Sequence, residues 1–363
     1  MAERVMKHLS LYAAILITMT GLQSCTKNEP SASSKPITLK VNTIDTKSST
    51  ITDSNLNRFQ IIAIADGGWH DNESVHEASD YDFTDTASKG SKGWGFVNSD
   101  HYWLNGVNIH FWSLYPVEDD LDTAAEGLLS ITKPSAGENS LSFSYALPTP
   151  SPGSDATNQK DIVFAGNSET RTFNGSGALS SSSSRNDNNV DIHFFHPLSE
   201  ICFAVSPTDG SFYIADLGIQ SITIKNVSGS GDCMFTIIPS TTFEWSNLGD
   251  ADKQYSQNYN AFFDSKPSGW TSGTFKDTGA NTQTIYVCDN SYFMIPQTLS
   301  GAVLSVTFVK KDGTTITKEK TLDDDTWESG KYYKYKLSAL TLGRDVEFSA
   351  TVMDWEEDVI EVN

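Results

Sequence analysis

Trp327-Glu-Ser-Gly-Lys-Tyr-Tyr-Lys-Tyr-Lys-Leu337 reads with a period of two. Tyr333, Tyr335 and Leu337 fall on one face, and Tyr332, Lys334 and Lys336 on the other. Successive side chains of a strand point to opposite faces, so this is a half-buried strand with a wet lysine face. Gly330, behind the acidic run Asp323-Asp324-Asp325, is the turn that launches it. Upstream, Leu304, Val306 and Phe308 alternate with Ser305 and Thr307. Downstream, Val346, Phe348, Ala350 and Val352 alternate up to Trp355. Three such strands joined by short polar turns predict an antiparallel meander.

Working outward, short alternating runs recur through a chain rich in Ser, Thr, Asn, Asp and Gly, and no long 3.6-residue stripe follows the N-terminus. The fold class expected is all-β. A length of 363 residues exceeds the usual single domain, and 38% hydrophobic residues supply real cores. The formal charge of −21 repels phosphate backbones and anionic headgroups, which argues against a nucleic-acid partner.

At the N-terminus, Arg4 and Lys7 precede the apolar run Leu9–Met19, which is too short to span a bilayer and suits a signal peptide. Leu22-Gln23-Ser24-Cys25 resembles a lipobox, with Gln23 where a small residue is usual. In that reading cleavage precedes Cys25, whose thiol carries a lipid anchor; the alternative is an ordinary signal peptide with a nearby Cys. Residues 26–35 form a polar tether. Ile37, Leu39 and Val41 alternate in a first strand, and Phe59–Ala65 is a second, more buried one. Residues 66–92 are polar and Gly-interrupted, with Trp69, Tyr81 and Phe83 scattered through them. His101–Leu104 and Val107–Tyr115 suggest a hairpin across Asn105-Gly106. Leu141–Ala146 and Asp161–Gly166 add strands.

The serine-rich run 168–189 marks the expected domain boundary, or else a long hairpin loop inside the first domain. The organisation expected is a signal peptide and lipobox at 1–25, the tether at 26–35, and β-sandwich domains at 36–185 and 186–363. About seven strands in each half suit a Greek-key sandwich. Strands expected in the second half include Leu217–Val227, Met234–Ile238, Phe243–Trp245 and Thr284–Cys288.

No enzymatic constellation emerges. His193 and His196 are three apart, which on a strand sends them to opposite faces, so they make poor co-ligands. Trp69–Glu77 is the densest His and carboxylate group, but no second cluster stands ready to complete a metal site. Asp323–Asp325 and Glu356-Glu357-Asp358 lack the environmental asymmetry that splits catalytic pKa values. No nucleophile elbow, zinc-protease helix or phosphate loop occurs, so neither a catalytic residue nor a cofactor is assigned. Cys202, Cys233 and Cys288 cannot all pair; they suit one bridge or three buried thiols. Trp94, Trp103 and Trp112 form either a sugar-stacking platform or core filling.

The order of these parts resembles the Bacteroidales fimbrillins, the lipoprotein pilins of type V fimbriae, including their Mfa-like accessory and tip members. The residues that carry it are Ile295-Pro296-Gln297, the Trp327-x-x-Gly330-x-x-Tyr333-x-Tyr335-x-Leu337 strand and a last strand ending near Trp355. Tyr115-Pro116 and the run Phe194-x-His196-x-x-Ser199-x-Ile201-x-Phe203 add to it. The resemblance implies two transthyretin-like sandwiches and a non-enzymatic pilus subunit, exported as a lipid-anchored precursor to the outer membrane and cell surface. Its partners would be other pilus subunits and a surface receptor of unspecified kind.

The resemblance also implies proteolytic processing at Lys47, in Thr46-Lys47-Ser48, where relatives often carry Thr-Arg-Ala. Arg58 is a second candidate, and a plain surface loop is the alternative. Removing the first strand would leave a template for a strand from another subunit. The short segment after Trp355 points to an accessory, tip or anchor type rather than a stalk subunit. A carbohydrate-binding surface lipoprotein is the rival reading.

Overall fold

The computed structural model describes residues 35–42, 56–67, 69–70, 75–76, 81–123, 127–148, 159–174, 176, 178–181, 183, 185–205, 217–238, 240–262, 275–277, 286–288, 291–310, 312–322, 325–338 and 347–354. Cys25 and Lys47 lie outside these residues, as does Glu356-Glu357-Asp358.

The chain runs through β1 (Thr38–Val41), β2 (Arg58–Ala65), β3 (Trp69–His70), β4 (Val75–His76), β5 (Asp82–Gly90), β6 (Gly93–Phe96) and β7 (Asn108–Tyr115). A 3₁₀ turn at Glu118–Asp120 leads to β8 (Asp122–Thr123), β9 (Gly127–Thr132), β10 (Ser140–Ala146), β11 (Val163–Thr170) and β12 (Asn189–Ile192). Next come β13 (Ser199–Val205), β14 (Leu217–Val227), β15 (Ser230–Thr236), β16 (Thr242–Ser246), β17 (Lys253–Phe262), β18 (Phe275–Asp277) and β19 (Tyr286–Cys288). Last are β20 (Tyr292–Met294), β21 (Gln297–Thr298), β22 (Val303–Lys310), β23 (Thr315–Thr321), β24 (Thr326–Trp327), β25 (Lys331–Ser338) and β26 (Glu347–Asp354). The protein is all-β, as its alternating patterns require.

The first sheet has the order β11-β7-β2-β5-β6-β1-β12. Its ends meet: Phe164 and Phe195 exchange backbone hydrogen bonds of 2.9 and 2.8 Å, so the sheet rolls back on itself. Phe59, Ile61 and Ala63 of β2 enter the core inside the roll with Trp103, Phe111 and Val190. Ile62 and Ile64 face the other way, into a second core with Trp112, Leu114 and Phe164. A strand covered on both faces needs a nearly continuous apolar run, and Phe-Gln-Ile-Ile-Ala-Ile-Ala, broken only at the half-buried Gln60, supplies one. On that outer face lies the second sheet, β16-β15-β10-β9-β8. Phe143 of β10 stacks on Phe164 at 4.3 Å, and such a ring pair adds about 0.5–1.5 kcal/mol beyond its buried area.

The third sheet runs β18-β19-β13-β25-β26 with β20 also on β13, and the fourth runs β17-β14-β22-β23. Tyr333 and Tyr335 are buried, as the period of two predicts. The Trp327 indole donates to the Tyr335 hydroxyl at 3.1 Å, and the Tyr333 hydroxyl donates to the Thr326 carbonyl at 2.8 Å. Gly330, at φ 66°, makes the turn between them. The spacing of the aromatic motif is thus the spacing of one knot.

Several expectations are corrected. The three C-terminal strands do not form one meander. β22 pairs with β14 and β23, while β25 lies parallel to β13 and antiparallel to β26. Alternation fixes which face is buried but not which strand lies alongside. The expected boundary at 185/186 is crossed by paired strands, because β12 pairs with β1 and β15 pairs with β10. The serine-rich run is tied to the first sheet, where the Ser183 hydroxyl donates to the Thr172 carbonyl at 2.8 Å. The expected hairpin partner of β7 instead bonds residues 35–37, and β5 occupies part of the polar 66–92 segment, where alternation assigns no strand.

The halves also meet through buried polar groups. His196 Nδ1 lies 3.1 Å from Asp161, and Gln159 accepts from the Phe293 backbone N–H at 2.8 Å. Nearby on β13, Glu200 is fully buried. Burial pushes its carboxyl up to about 8, offset in part by the Ser291 hydroxyl and reinforced by the charge of Asp161. The folded state therefore holds a proton that the unfolded chain releases near 4.5. This contribution is full below that pH and is lost as pH rises through 8. Glu200→Gln is expected to flatten the decline in thermal stability between pH 5 and 8. At pH 8 it should leave the variant more stable than the parent by on the order of 4 kcal/mol in denaturant titrations.

Candidate functional site

The first strand extends as paired backbone from residue 35 to residue 42 and is inserted between two walls. On one side Leu39 pairs with Trp94 of β6, and Pro36 bridges Tyr102. The Ile37 N–H donates to the His101 carbonyl at 2.8 Å, and the Trp103 N–H donates to the Lys35 carbonyl at 2.9 Å. On the other side β1 lies parallel to β12, from Thr38 opposite Asn189 to Val41 opposite Ile192. The Thr38 N–H donates to Asn188 and the Asn42 N–H to Ile192, at 3.1 and 2.9 Å.

Alternation then decides what the insert covers. Ile37 and Leu39 are buried in the core that also holds Phe59, Trp103, Val190 and Ile192, while Thr38 and Lys40 are exposed. Burying two such side chains contributes about 3–6 kcal/mol. The polar contacts to β12 lie at the surface: Thr38 donates to the Asn189 side chain at 2.7 Å, and Lys40 sits 3.8 Å from Asp191. Exposed pairs of this kind add little.

Both walls are fixed by groups outside the insert. Arg171 is fully buried, pairs with Glu169 and lies 4.3 Å over the Trp103 ring. Its guanidinium donates to the Asp187 and Asn189 carbonyls, each at 2.7 Å. The Asn167 amide donates to the Asp191 carbonyl at 3.1 Å. The β12 wall is therefore held from beneath.

The opposite wall is held by Asp85, a buried carboxylate on β5. It accepts from the Asn98 backbone and amide at 3.2 and 2.7 Å and lies 2.9 Å from His101. Burial works to raise its pKa, but hydrogen bonds from His101, Thr86 and Asn98 outweigh that and hold the carboxyl below its usual range. Sequence reading missed Arg171 and Asp85. A buried ion inside an alternating strand looks like a surface residue until its partners are known.

Other positions singled out in the sequence do not converge. Trp103 and Trp112 are fully buried and Trp94 packs on Phe59 at 4.9 Å, so these three form no sugar platform. His193 is exposed, whereas His196 is buried against Asp161. Of the group Trp69–Glu77, β3 (Trp69–His70) and β4 (Val75–His76) pair antiparallel, and the other members lie outside the described residues. Among the described residues no set of three or more His, Cys, Asp or Glu is placed to hold a metal. Cys202 and Cys233 are both buried, and burial raises the pKa of Cys233. Asp325 accepts from the Tyr335 hydroxyl at 3.2 Å. No described helix is long and apolar enough to cross a membrane.

The arrangement can be set beside known proteins. A fimbrial protein from Bacteroides vulgatus superposes with a TM-score of 0.54 at 16% identity, over 88% of this chain and 99% of that one. A candidate cell adhesion protein from Bacteroides uniformis gives 0.46 at 12% identity, over 90% and 100%. The fimbrial anchor protein Mfa2 from Porphyromonas gingivalis gives 0.31 at 11%, over 88% and 98%. The first of these supports the fold alone. No curated protein sequence matches the chain. A family model described as fimbrillin-like matches residues 43–355, nearly the whole length beyond the first strand, and on that match the chain belongs to the fimbrillin-like family.

Proposed function

We propose that this chain is a fimbrial subunit of the accessory, tip or anchor type, that its first strand is a temporary insert, and that assembly replaces it with a strand from another subunit. The observation that carries this reading is the seating of residues 35–42 between walls clamped by other groups. A strand that leaves such a slot exposes the backbone groups of Asn188, Ile192, His101 and Trp103 together with apolar pockets. An incoming strand can satisfy both at once: its backbone completes the ladders and its alternate side chains fill the pockets.

In this reading the protein is exported as a lipoprotein anchored through Cys25, in the outer membrane. Cleavage after Lys47 then separates the first strand and the anchor from the body. The role is structural and adhesive rather than catalytic.

Three outcomes check the proposal. Protein recovered from the cell surface should begin at Ser48 when its intact mass is measured; a population beginning only at Cys25 contradicts processing. A chain starting at Ser48 should capture a fluorescent peptide of residues 35–42 in polarisation titrations. A Leu39→Asp peptide should bind at least about tenfold more weakly, because it carries an unpaired charge into the core. Arg171→Met takes the nearer guanidinium from buried Glu169, leaving it the Asn167 amide at 2.6 Å and Arg185 at 3.8 Å, and should cost about 3 kcal/mol in denaturant titrations.

A further inference from the structure

A second site lies away from the strand slot. A groove of about 920 Å³ opens at the seam between the second sheet and the C-terminal half. Its volume falls within the range of roughly 300–1,000 Å³ typical of small-molecule sites, which favour such seams. One wall is β16, an edge strand. Phe243 and Trp245 share a face of that strand and are both half-buried, so each ring is only partly covered by the protein.

Both rings are held in place. Phe243 stacks on Phe235 at 4.8 Å. Trp245 meets Phe143 edge to face at 5.7 Å, and its indole N–H donates to the Pro197 carbonyl at 2.9 Å. The indole is thus oriented by a bond that a ligand need not disturb. The facing wall carries the exposed Thr298 on β21, with Glu328 and Lys331 at the turn into β25.

The charge of the groove differs from that of the chain. Its sixteen lining residues include one carboxylate, Glu328, and one ammonium, Lys331, within a protein of net charge −21. An anionic or strongly cationic ligand finds no matching field there. Half-covered aromatic faces beside hydroxyl, carboxylate and ammonium groups suit a molecule with apolar C–H faces and a hydroxyl perimeter. β16 is a poor template for a long peptide ladder, because it is five residues long and Asn247, at φ 47°, turns the chain beyond it.

We infer that this groove binds a neutral oligosaccharide, with Trp245 and Phe243 stacking on sugar faces and the opposite wall hydrogen-bonding its hydroxyls. The inference does not depend on strand replacement, since the groove is built from residues outside the first strand and its slot.

The test uses the full secreted chain on an array of neutral oligosaccharides ending in glucose, galactose, mannose or N-acetylglucosamine. Sialylated glycans and extended peptides are printed alongside. At least one neutral glycan should bind, with a change in tryptophan fluorescence on titration. Trp245→Ala should weaken that glycan by about tenfold or more. Thr298→Arg, an exposed change on the facing wall, should do the same by filling the groove, and it decides the matter if Trp245→Ala fails to fold. Absence of neutral-glycan binding, unchanged binding in the folded variants, or binding to peptides alone overturns the inference. Failure here with capture of the residue 35–42 peptide intact leaves the assembly reading standing, and the reverse result separates them equally.

Discussion

The seating of Ile37 and Leu39 sets the terms for the first sheet. Their side chains complete a core, and the backbone around them completes ladders on both sides. These demands are coupled through the period of two. Only an extended segment with apolar residues at alternate positions meets both. A strand shifted by one residue would turn Thr38 and Lys40 inward and leave polar atoms without partners. The slot is therefore selective for register and pattern, but indifferent to which chain supplies them.

Under the proposed strand replacement the slot has to keep its shape when vacant, and the ions buried beneath its walls would serve that end. Arg171 and Glu169 would contribute little net stability compared with a well-packed apolar pair. What they supply is direction. A guanidinium that holds the Asp187 and Asn189 carbonyls fixes the path of the chain into β12 through bonds that do not involve β1. Asp85 does the same for residues 98–101. The two clamps reach the slot from Arg171, just past the end of β11, and from Asp85 on β5, and neither β11 nor β5 pairs with β1.

Much of the fold was legible in the sequence because most strands have one wet face. Ile37/Leu39, Tyr333/Tyr335 and the nearly continuous run of β2 all announce their burial directly. The Trp327–Tyr335 spacing was also visible, and the structure supplies its cause in one knot of indole and hydroxyl bonds. What could not be read was partnership. β25 carries the same alternation beside β13 as it would beside β22. β5 was hidden because its buried positions include Asp85, and the 101–104 run was assigned to a hairpin because its bonds go to residues distant in sequence, such as Trp103 to Lys35. The candidate site shared this fate. Its insert was foreseen from alternation, but its clamps were not, since Arg171 and Asp85 have no local signature. Of the tryptophans chosen for sugar stacking, Trp103 and Trp112 proved to be core and Trp94 packs half-buried on Phe59, while Trp245 is half-buried on a short edge strand that lines a groove.

Strand replacement is tested most directly by electron cryo-microscopy of assembled fimbriae that contain this chain. The expected map has a strand of another subunit lying between Trp94 with residues 101–103 on one side and Asn189–Ile192 on the other, with apolar side chains in the pockets of Ile37 and Leu39. A map in which residues 35–42 of the same chain still occupy that position contradicts it.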